Sequence, residues 1–174
     1  MTIFLWHLIL VLLRYFFCFK GNVPGLETNV NMKDLTNSGF RLVYNYAYNH
    51  ITTRAEILSI RSQCTSSTTI CVGGNRNDEI FLRLVACANC LSVTTETTLN
   101  SPQFYGRAYW YFTNGISFGF APNFTITQSS ADMYDQSSNL RLSWHINEIS
   151  GGWRIGNVIN LNSDTTYLKK IYLN

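Results

Sequence analysis

The sequence predicts an all-β fold, an antiparallel β-sandwich or jelly-roll stabilised by disulfides, and three observations lead to this prediction. Short apolar segments alternate with polar residues at a period of two. Tyr, Phe, Thr and Val, which favour pleated strands, are abundant beyond the N-terminal apolar run. Four cysteines follow Cys18, an even set that suits disulfide bonding. The 174 residues, 46% hydrophobic and 13% charged, are enough for one buried core.

Residues 1–21 are predicted to form a signal peptide. The apolar run from Ile3 to Leu13, ended by Arg14, has the length of a signal-peptide core and is shorter than the roughly 20 residues that span a bilayer. We expect cleavage between Cys18 and Pro24, which implies a secreted protein with no stable membrane span after processing. An uncleaved signal anchor and a buried cytosolic helix are the alternatives, because no basic residue precedes the run and no small-x-small site follows it.

The charge of the chain argues against a nucleic-acid partner. Lys and Arg number 13 and Asp and Glu number 10, a formal net charge of +3. Arg14 and Lys20 would leave with the signal peptide, so the mature chain carries about +1. The basic residues are scattered, and the pair Lys169-Lys170 fits a solvated strand end.

Residues 22–38 are predicted to be a connector, and residues 39–174 a single β-rich domain. The connector is polar, aperiodic and punctuated by Pro24 and Gly25. A period-two pattern from Phe40 to Tyr48 then indicates the first strand. The segment Glu56–Arg61 is compatible with either a helical turn or a strand.

The rest of the domain contains further short strands. Asn114-Gly115 is the strongest hairpin signal, because an Asn-Gly pair between apolar segments favours a tight turn. Apolar alternation or β-branched residues predict the other strands. The predicted strands are Ile70–Val72, Ile80–Ala86, Leu91–Thr98, Tyr109–Phe112, Ile116–Phe120, Phe124–Gln128, Leu140–Ile146, Trp153–Gly156 and Tyr167–Leu173.

Cys64, Cys71, Cys87 and Cys90 are predicted to form two disulfides in an oxidising compartment. A local bridge across the Ser/Thr turn from Cys64 to Cys71 would leave Cys87 to pair with Cys90, and bridges between the two loops are the alternative. A four-thiolate zinc site is a third possibility, although export and the wide first spacing argue against it. We therefore predict no bound metal, apart from calcium as an option at loop carboxylates.

Asn123-Phe-Thr125 satisfies the N-glycosylation sequon. It follows Pro122, so we expect an exposed turn there. In an exported protein the sequon predicts a glycan on Asn123.

Several segments resemble those of small secreted, largely uncharacterised proteins of rotifers and other invertebrates. The likeness covers roughly Gly39 to Asn174 and implies one domain, with no activity or catalytic residue carried over. The segments are Cys71–Gly74, Leu84–Cys90, Ala108–Phe112, Ser117–Pro122, Arg141–His145 and Gly152–Gly156.

We expect the domain to be a non-catalytic, lectin-like recognition module whose partner is a glycan or a glycoprotein surface. Aromatic rings stack on sugar C–H faces, while planar polar side chains bond hydroxyls. If Leu142 and Trp144 face the core, their strand neighbours face outward, and the Gly151-Gly152 turn brings Trp153 close. The predicted ligand-binding residues are Arg141, His145, Asn147, Trp153, Arg154, Asp132 and Asp135.

Other function classes stay open. Trp110, Trp144 and Trp153 could all be core residues, which would suit a structural or mucosal-coat protein. A membrane-active toxin could use the aromatic segment Tyr109–Phe112. Enzyme signatures are scarce, because Ser143 and His145 lack a nucleophile elbow, and the pair Asp132 and Asp135 is the remaining option for glycoside hydrolysis. We predict that the protein is not an enzyme and needs no cofactor.

Overall fold

The computed structural model describes residues 25–126, 139–147 and 151–174. They form two five-stranded antiparallel sheets, which confirms the predicted all-β fold. The first sheet has the order β1-β4-β3-β10-β2 and the second the order β5-β6-β7-β8-β9. The strands are β1 Leu26–Asn31, β2 Arg41–Ala47, β3 Thr69–Arg76, β4 Phe81–Asn89, β5 Gln103–Tyr105, β6 Ala108–Thr113, β7 Ser117–Ala121, β8 Leu142–His145, β9 Arg154–Ile155 and β10 Tyr167–Leu173.

The two sheets share one core, which resembles that of a β-sandwich. Ile70, Val72 and Leu84 from the first sheet belong to the same buried cluster as the aromatic residues of the second. Trp144 is fully buried and stacks on Tyr44 with ring centroids 5.8 Å apart. Leu142 and Trp144 therefore face the core, as their alternation predicts. The second-sheet residues in this core are Ala108, Trp110, Phe112, Phe118, Phe120, Leu142, Trp144 and Ile155.

The predicted connector is wrong over residues 26–37. Strand β1 pairs antiparallel with β4, and helix α1 (Met32–Asn37) follows it directly. Leu35 on α1 is fully buried and packs with Phe40 in a second cluster. The sequence did not predict this strand because it is polar. Strand β1 lies at the sheet edge, and Val30 is the one residue in it that is buried.

Two further helices replace segments that the sequence left open or assigned otherwise. Helix α2 (Arg54–Arg61) begins at a capping box, in which Thr53 and Glu56 bond each other's backbone N–H groups. Helix α3 (Cys90–Val93) starts where we predicted the strand Leu91–Thr98, so that prediction is wrong. Its N-cap, Asn89, accepts a hydrogen bond from the backbone of Ser92, which favours a helical turn over an extended chain.

The hairpin predicted at Asn114-Gly115 is confirmed. Strands β6 and β7 pair on either side of it, and Gly115 has φ of +70°. Strands β2, β8, β9 and β10 also match predicted segments to within two residues. Residues Phe124 to Ile126 form no strand, and the rest of that predicted segment lies outside the described residues.

Two disulfides form, but the local pairing is wrong. Cys71 bonds Cys87, its direct partner across β3 and β4, with Cα atoms 4.1 Å apart. Cys64 bonds Cys90 with Cα atoms 5.9 Å apart, joining the end of α2 to the start of α3. Register decides the pairing, because antiparallel strands place Cys71 opposite Cys87. Two disulfides fit an oxidising environment.

None of the helices in the described residues has the length and apolarity needed to span a bilayer. The predicted signal peptide lies outside those residues.

Candidate functional site

An open pocket lies where β1 and β4 of the first sheet meet the chain that leaves β9 of the second. Its volume is about 370 Å³, within the range of pockets that take small molecules. Both sheets contribute to its walls. The lining residues are Thr28, Asn29, Glu79, Phe81, Arg83, Asn139, Ile155, Gly156, Asn157 and Val158.

Four exposed polar side chains line this pocket. They make no hydrogen bond with any described residue, so their donors and acceptors are available to a ligand. Asn29 has φ of +58°, and the pairing of β1 with β4 skips it, which breaks the edge strand beside the pocket. The four residues are Thr28, Asn29, Asn139 and Asn157.

Phe81 gives the pocket an aromatic ring. It is half-buried at the start of β4, so part of its ring remains accessible. Half-buried Val158 adds an apolar surface from the chain that follows β9, whereas Ile155 is buried in the shared core. A partly exposed ring beside free amide groups is a suitable lining for a ligand with both C–H faces and hydroxyl groups.

Glu79 and Arg83 form an ion pair in the pocket wall. Arg83 Nε donates to both carboxylate oxygens of Glu79, at 2.9 and 2.8 Å. Glu79 also accepts a hydrogen bond from the backbone N–H of Arg76 at 2.9 Å. The bonds from Arg83 hold the pKa of the Glu79 carboxyl below its usual value, so Glu79 is ionised at neutral pH. Each charge is thereby balanced before any ligand binds.

A tight turn after β9 forms another part of the pocket wall. Ile155 and Val158 bond each other's backbones at 3.0 and 3.1 Å, and Gly156 between them has φ of +56°. A Cβ on Gly156 would lie 2.9 Å from the carbonyl oxygen of Asn139, so glycine permits this approach. Arg154 Nε donates to the Gly156 carbonyl oxygen at 3.0 Å and fixes the turn that presents Asn157.

The two arginines predicted to bind ligand are buried, so that prediction is wrong about their access to solvent. Arg141 and Arg154 are 1% and 0% exposed. They lie on the outer face of the second sheet, meaning the side away from the shared core, as strand alternation predicts. Arg141 donates to the Thr125 carbonyl oxygen at 2.9 Å and to Asn123 Oδ1 at 3.1 Å. The Arg141 guanidinium thus bonds a neighbouring segment of the chain, and the Arg154 guanidinium bonds the turn that follows it.

The other predicted site residues do not form one open site with the arginines. His145 and Trp153 are half-buried, and Trp153 is held by backbone bonds to Ser143 and Leu161. Asn147 is exposed, but its Oδ1 accepts the backbone N–H of Arg54 at 3.2 Å, at the start of α2. Asp132 and Asp135 lie outside the described residues.

The pair Lys169-Lys170, predicted to form a solvated strand end, is 0% and 6% exposed, so that prediction is wrong. The buried Lys169 also explains why residues 151 and 152 do not form an exposed turn. Lys169 Nζ donates to the carbonyl oxygens of His50 and Gly151 and to Thr52 Oγ1. The ammonium also lies 5.8 and 5.9 Å from the ring centroids of Tyr48 and Trp144. Burial lowers the pKa of Lys169 to about 7. This residue therefore joins β10 to two loops inside the protein and presents no group to a ligand.

No group of three or more metal-ligating side chains occurs in the described part of the chain. The predicted calcium option, which involves Asp132 and Asp135, stays a prediction.

In comparisons with protein-family models, curated proteins and solved structures, none matches this chain. The resemblance to secreted invertebrate proteins therefore remains a prediction, and the function must be argued from the pocket.

Proposed function

We propose that this protein is a secreted, non-catalytic recognition module that binds saccharides in the pocket at Phe81. The observation that carries the proposal is the combination of a partly exposed ring with four uncommitted polar side chains around one pocket. The Phe81 ring would stack on a sugar C–H face. Asn29, Asn139 and Asn157 would exchange hydrogen bonds with the hydroxyl groups.

The charges around the pocket favour binding over hydrolysis. Glycoside hydrolysis needs two carboxyl groups, one of them protonated to act as the acid. Glu79 is the one carboxylate among the residues lining this pocket, and Arg83 keeps it ionised. The balanced pair also favours a neutral ligand, because neither charge is left to attract an ion.

Two features support an extracellular setting. The disulfides fit an oxidising compartment. The N-terminal apolar run has the length of a signal-peptide core. We infer that the mature protein is exported and meets its glycan or glycoprotein partner outside the cell.

A glycan array with the mature secreted protein tests the proposal. Phe81→Ala should weaken binding about two- to tenfold, because an aromatic contact contributes about 0.5–1.5 kcal/mol. Asn157→Ala should cost a similar factor through a lost hydrogen bond. Ile80→Ala is the matched control, since Ile80 is 68% exposed beside Phe81 but does not line the pocket.

Trp153→Ala distinguishes this pocket from the site predicted from the sequence. Our proposal requires that Trp153→Ala binds like the wild type once its folding is verified by circular dichroism. If Trp153→Ala loses binding and Phe81→Ala binds fully, the saccharide binds at the second sheet and not in the pocket. If no glycan binds at all, the structural or coat-protein alternative takes its place.

A further inference from the structure

An exposed aromatic patch lies on the outer face of the second sheet, and its residues do not line the pocket. It consists of Phe104, Tyr109 and Phe124, and we call these residues the aromatic patch. The ring of Tyr109 lies 5.0 Å from that of Phe104 and 5.8 Å from that of Phe124, measured between centroids. Phe104 and Phe124 are 59% and 58% exposed. Clustered exposed rings of this kind indicate a surface that something covers.

Asn123 lies at the edge of this patch. Tyr109 pairs with Phe104 on one side and with Ala121 on the other, so the row of residues leads directly to the segment that contains Asn123. Asn123 is exposed, and its Oδ1 accepts hydrogen bonds from the Thr125 backbone and from Arg141, both at 3.1 Å. Its Nδ2 donates to none of the described residues. The amide is therefore held by its oxygen, with its nitrogen free.

Glycosylation of Asn123 is compatible with both of these hydrogen bonds. Nδ2 would attack the anomeric carbon of a polyprenyl-diphosphate-linked oligosaccharide. The new N–C bond forms as the C–O bond to the diphosphate breaks; the diphosphate leaves with the electron pair, and Nδ2 gives up one proton to a base. Oδ1 remains a carbonyl oxygen, so Thr125 and Arg141 can still donate to it.

We propose that an N-linked glycan on Asn123 folds back and covers the aromatic patch with its first sugar residues. A sugar C–H face can stack on exposed rings. The covalent link holds the sugar at a high effective concentration, so that a contact too weak for a free sugar is populated. The glycan would thus shield the exposed rings of Phe104 and Phe124 from water.

The test compares glycosylated and unglycosylated protein secreted from cells that perform N-glycosylation. Thr125→Ala removes the sequon, and Thr125→Ser is the matched control that keeps it. Mass spectrometry should find a glycan on the wild type and on Thr125→Ser. The unglycosylated variant should melt about 2–4 °C lower and bind more of a hydrophobic fluorescent dye.

A double variant separates this contact from a general effect of glycosylation. Phe104→Ser with Phe124→Ser removes the exposed rings and keeps the sequon Asn-Ser-Thr. In this background, loss of the glycan should change neither melting temperature nor dye binding. Should the double variant fold poorly, the dye comparison between Thr125→Ala and Thr125→Ser decides the question.

Four results would overturn the proposal. They are an unmodified Asn123 in the secreted protein, equal dye binding with and without the glycan, an undiminished glycan effect in the double variant, and binding of the glycosylated protein to phosphatidylcholine vesicles. The second would mean that another part of the chain covers the patch, and the last that it faces lipid. The two proposals share the export of the protein. A saccharide bound at Phe81 would leave each of these results unaffected, so the two binding claims fail independently.

Discussion

Lys169 should make the stability of this protein rise with pH in the alkaline range. Burial lowers its pKa to about 7 in the folded protein, whereas the ordinary value of 10.5 applies to the unfolded chain. Between these values the unfolded chain binds more protons than the folded one, so the free energy of unfolding increases with pH. From pH 7 to pH 9 these two pKa values give an increase of about 2 kcal/mol.

Two tyrosines set the upper end of this range. Burial raises the pKa of Tyr172 to about 12 and raises that of Tyr44 further. Above about pH 10 the unfolded chain loses tyrosine protons that the folded protein keeps, so stability should fall again. Urea unfolding followed by tryptophan fluorescence measures both the rise and the fall of stability with pH. The titrations run at pH values from 6 to 11 with the disulfides intact. Trp110 and Trp144 are buried and should report the transition.

Lysine variants test whether Lys169 causes the increase in the free energy of unfolding between pH 7 and pH 9. Lys169→Met removes the titrating group and should reduce the increase between pH 7 and pH 9, leaving the smaller contribution of Lys170, whose pKa burial also lowers. Lys33→Met, at an exposed position on α1, should retain the wild-type profile. A wild-type stability that is flat or declines between pH 7 and pH 9 would refute this reasoning, even if Lys169→Met does not fold.

Three further predictions concern the bridges, the core and the leader. Replacing Cys64 and Cys90 together with serine should leave one bridge, Cys71–Cys87, and no free thiol by thiol titration; free thiols would contradict the pairing. Trp144→Ala should lower the free energy of unfolding by about 3–5 kcal/mol, with a smaller loss for half-buried Trp153→Ala; equal losses in denaturant titrations would contradict these positions. N-terminal sequencing of the secreted protein should give a start between Phe19 and Gly25, and a retained leader would contradict cleavage.

The sequence predicted the strands that bury one face and alternate. The pattern from Leu140 to Ile146 predicts a strand correctly because Leu142 and Trp144 contact the shared core, which requires apolar residues at alternate positions. Strand β1 was missed because an exposed edge strand needs few apolar residues. Helix α3 was missed because β-branched residues after Cys90 favoured a strand, whereas the local cap at Asn89 and the disulfide decide the outcome.

The candidate site was less predictable than the fold. Alternation correctly placed Arg141 on the face opposite Trp144, but it cannot tell whether another segment covers that face, and Thr125 and Asn123 contact the guanidinium. The pocket brings together residues 28, 81 and 157, which are far apart in the chain. Only the sheet order makes them neighbours. The sequence placed Gly156 at the end of a predicted strand, and no sequence pattern joined Asn157 to Phe81.

The central claim is that the pocket at Phe81 binds a neutral saccharide. Titrating ¹⁵N-labelled mature protein with methyl glycosides of glucose, galactose, mannose and N-acetylglucosamine tests it most directly, because amide chemical shifts locate even millimolar binding. We predict saturable shifts confined to residues 28–29, 79–83, 139 and 155–158 for at least one of these sugars, and weaker binding by Phe81→Ala than by Ile80→Ala. Shifts centred on His145 and Trp153, or no saturable shift with any sugar, would contradict the claim.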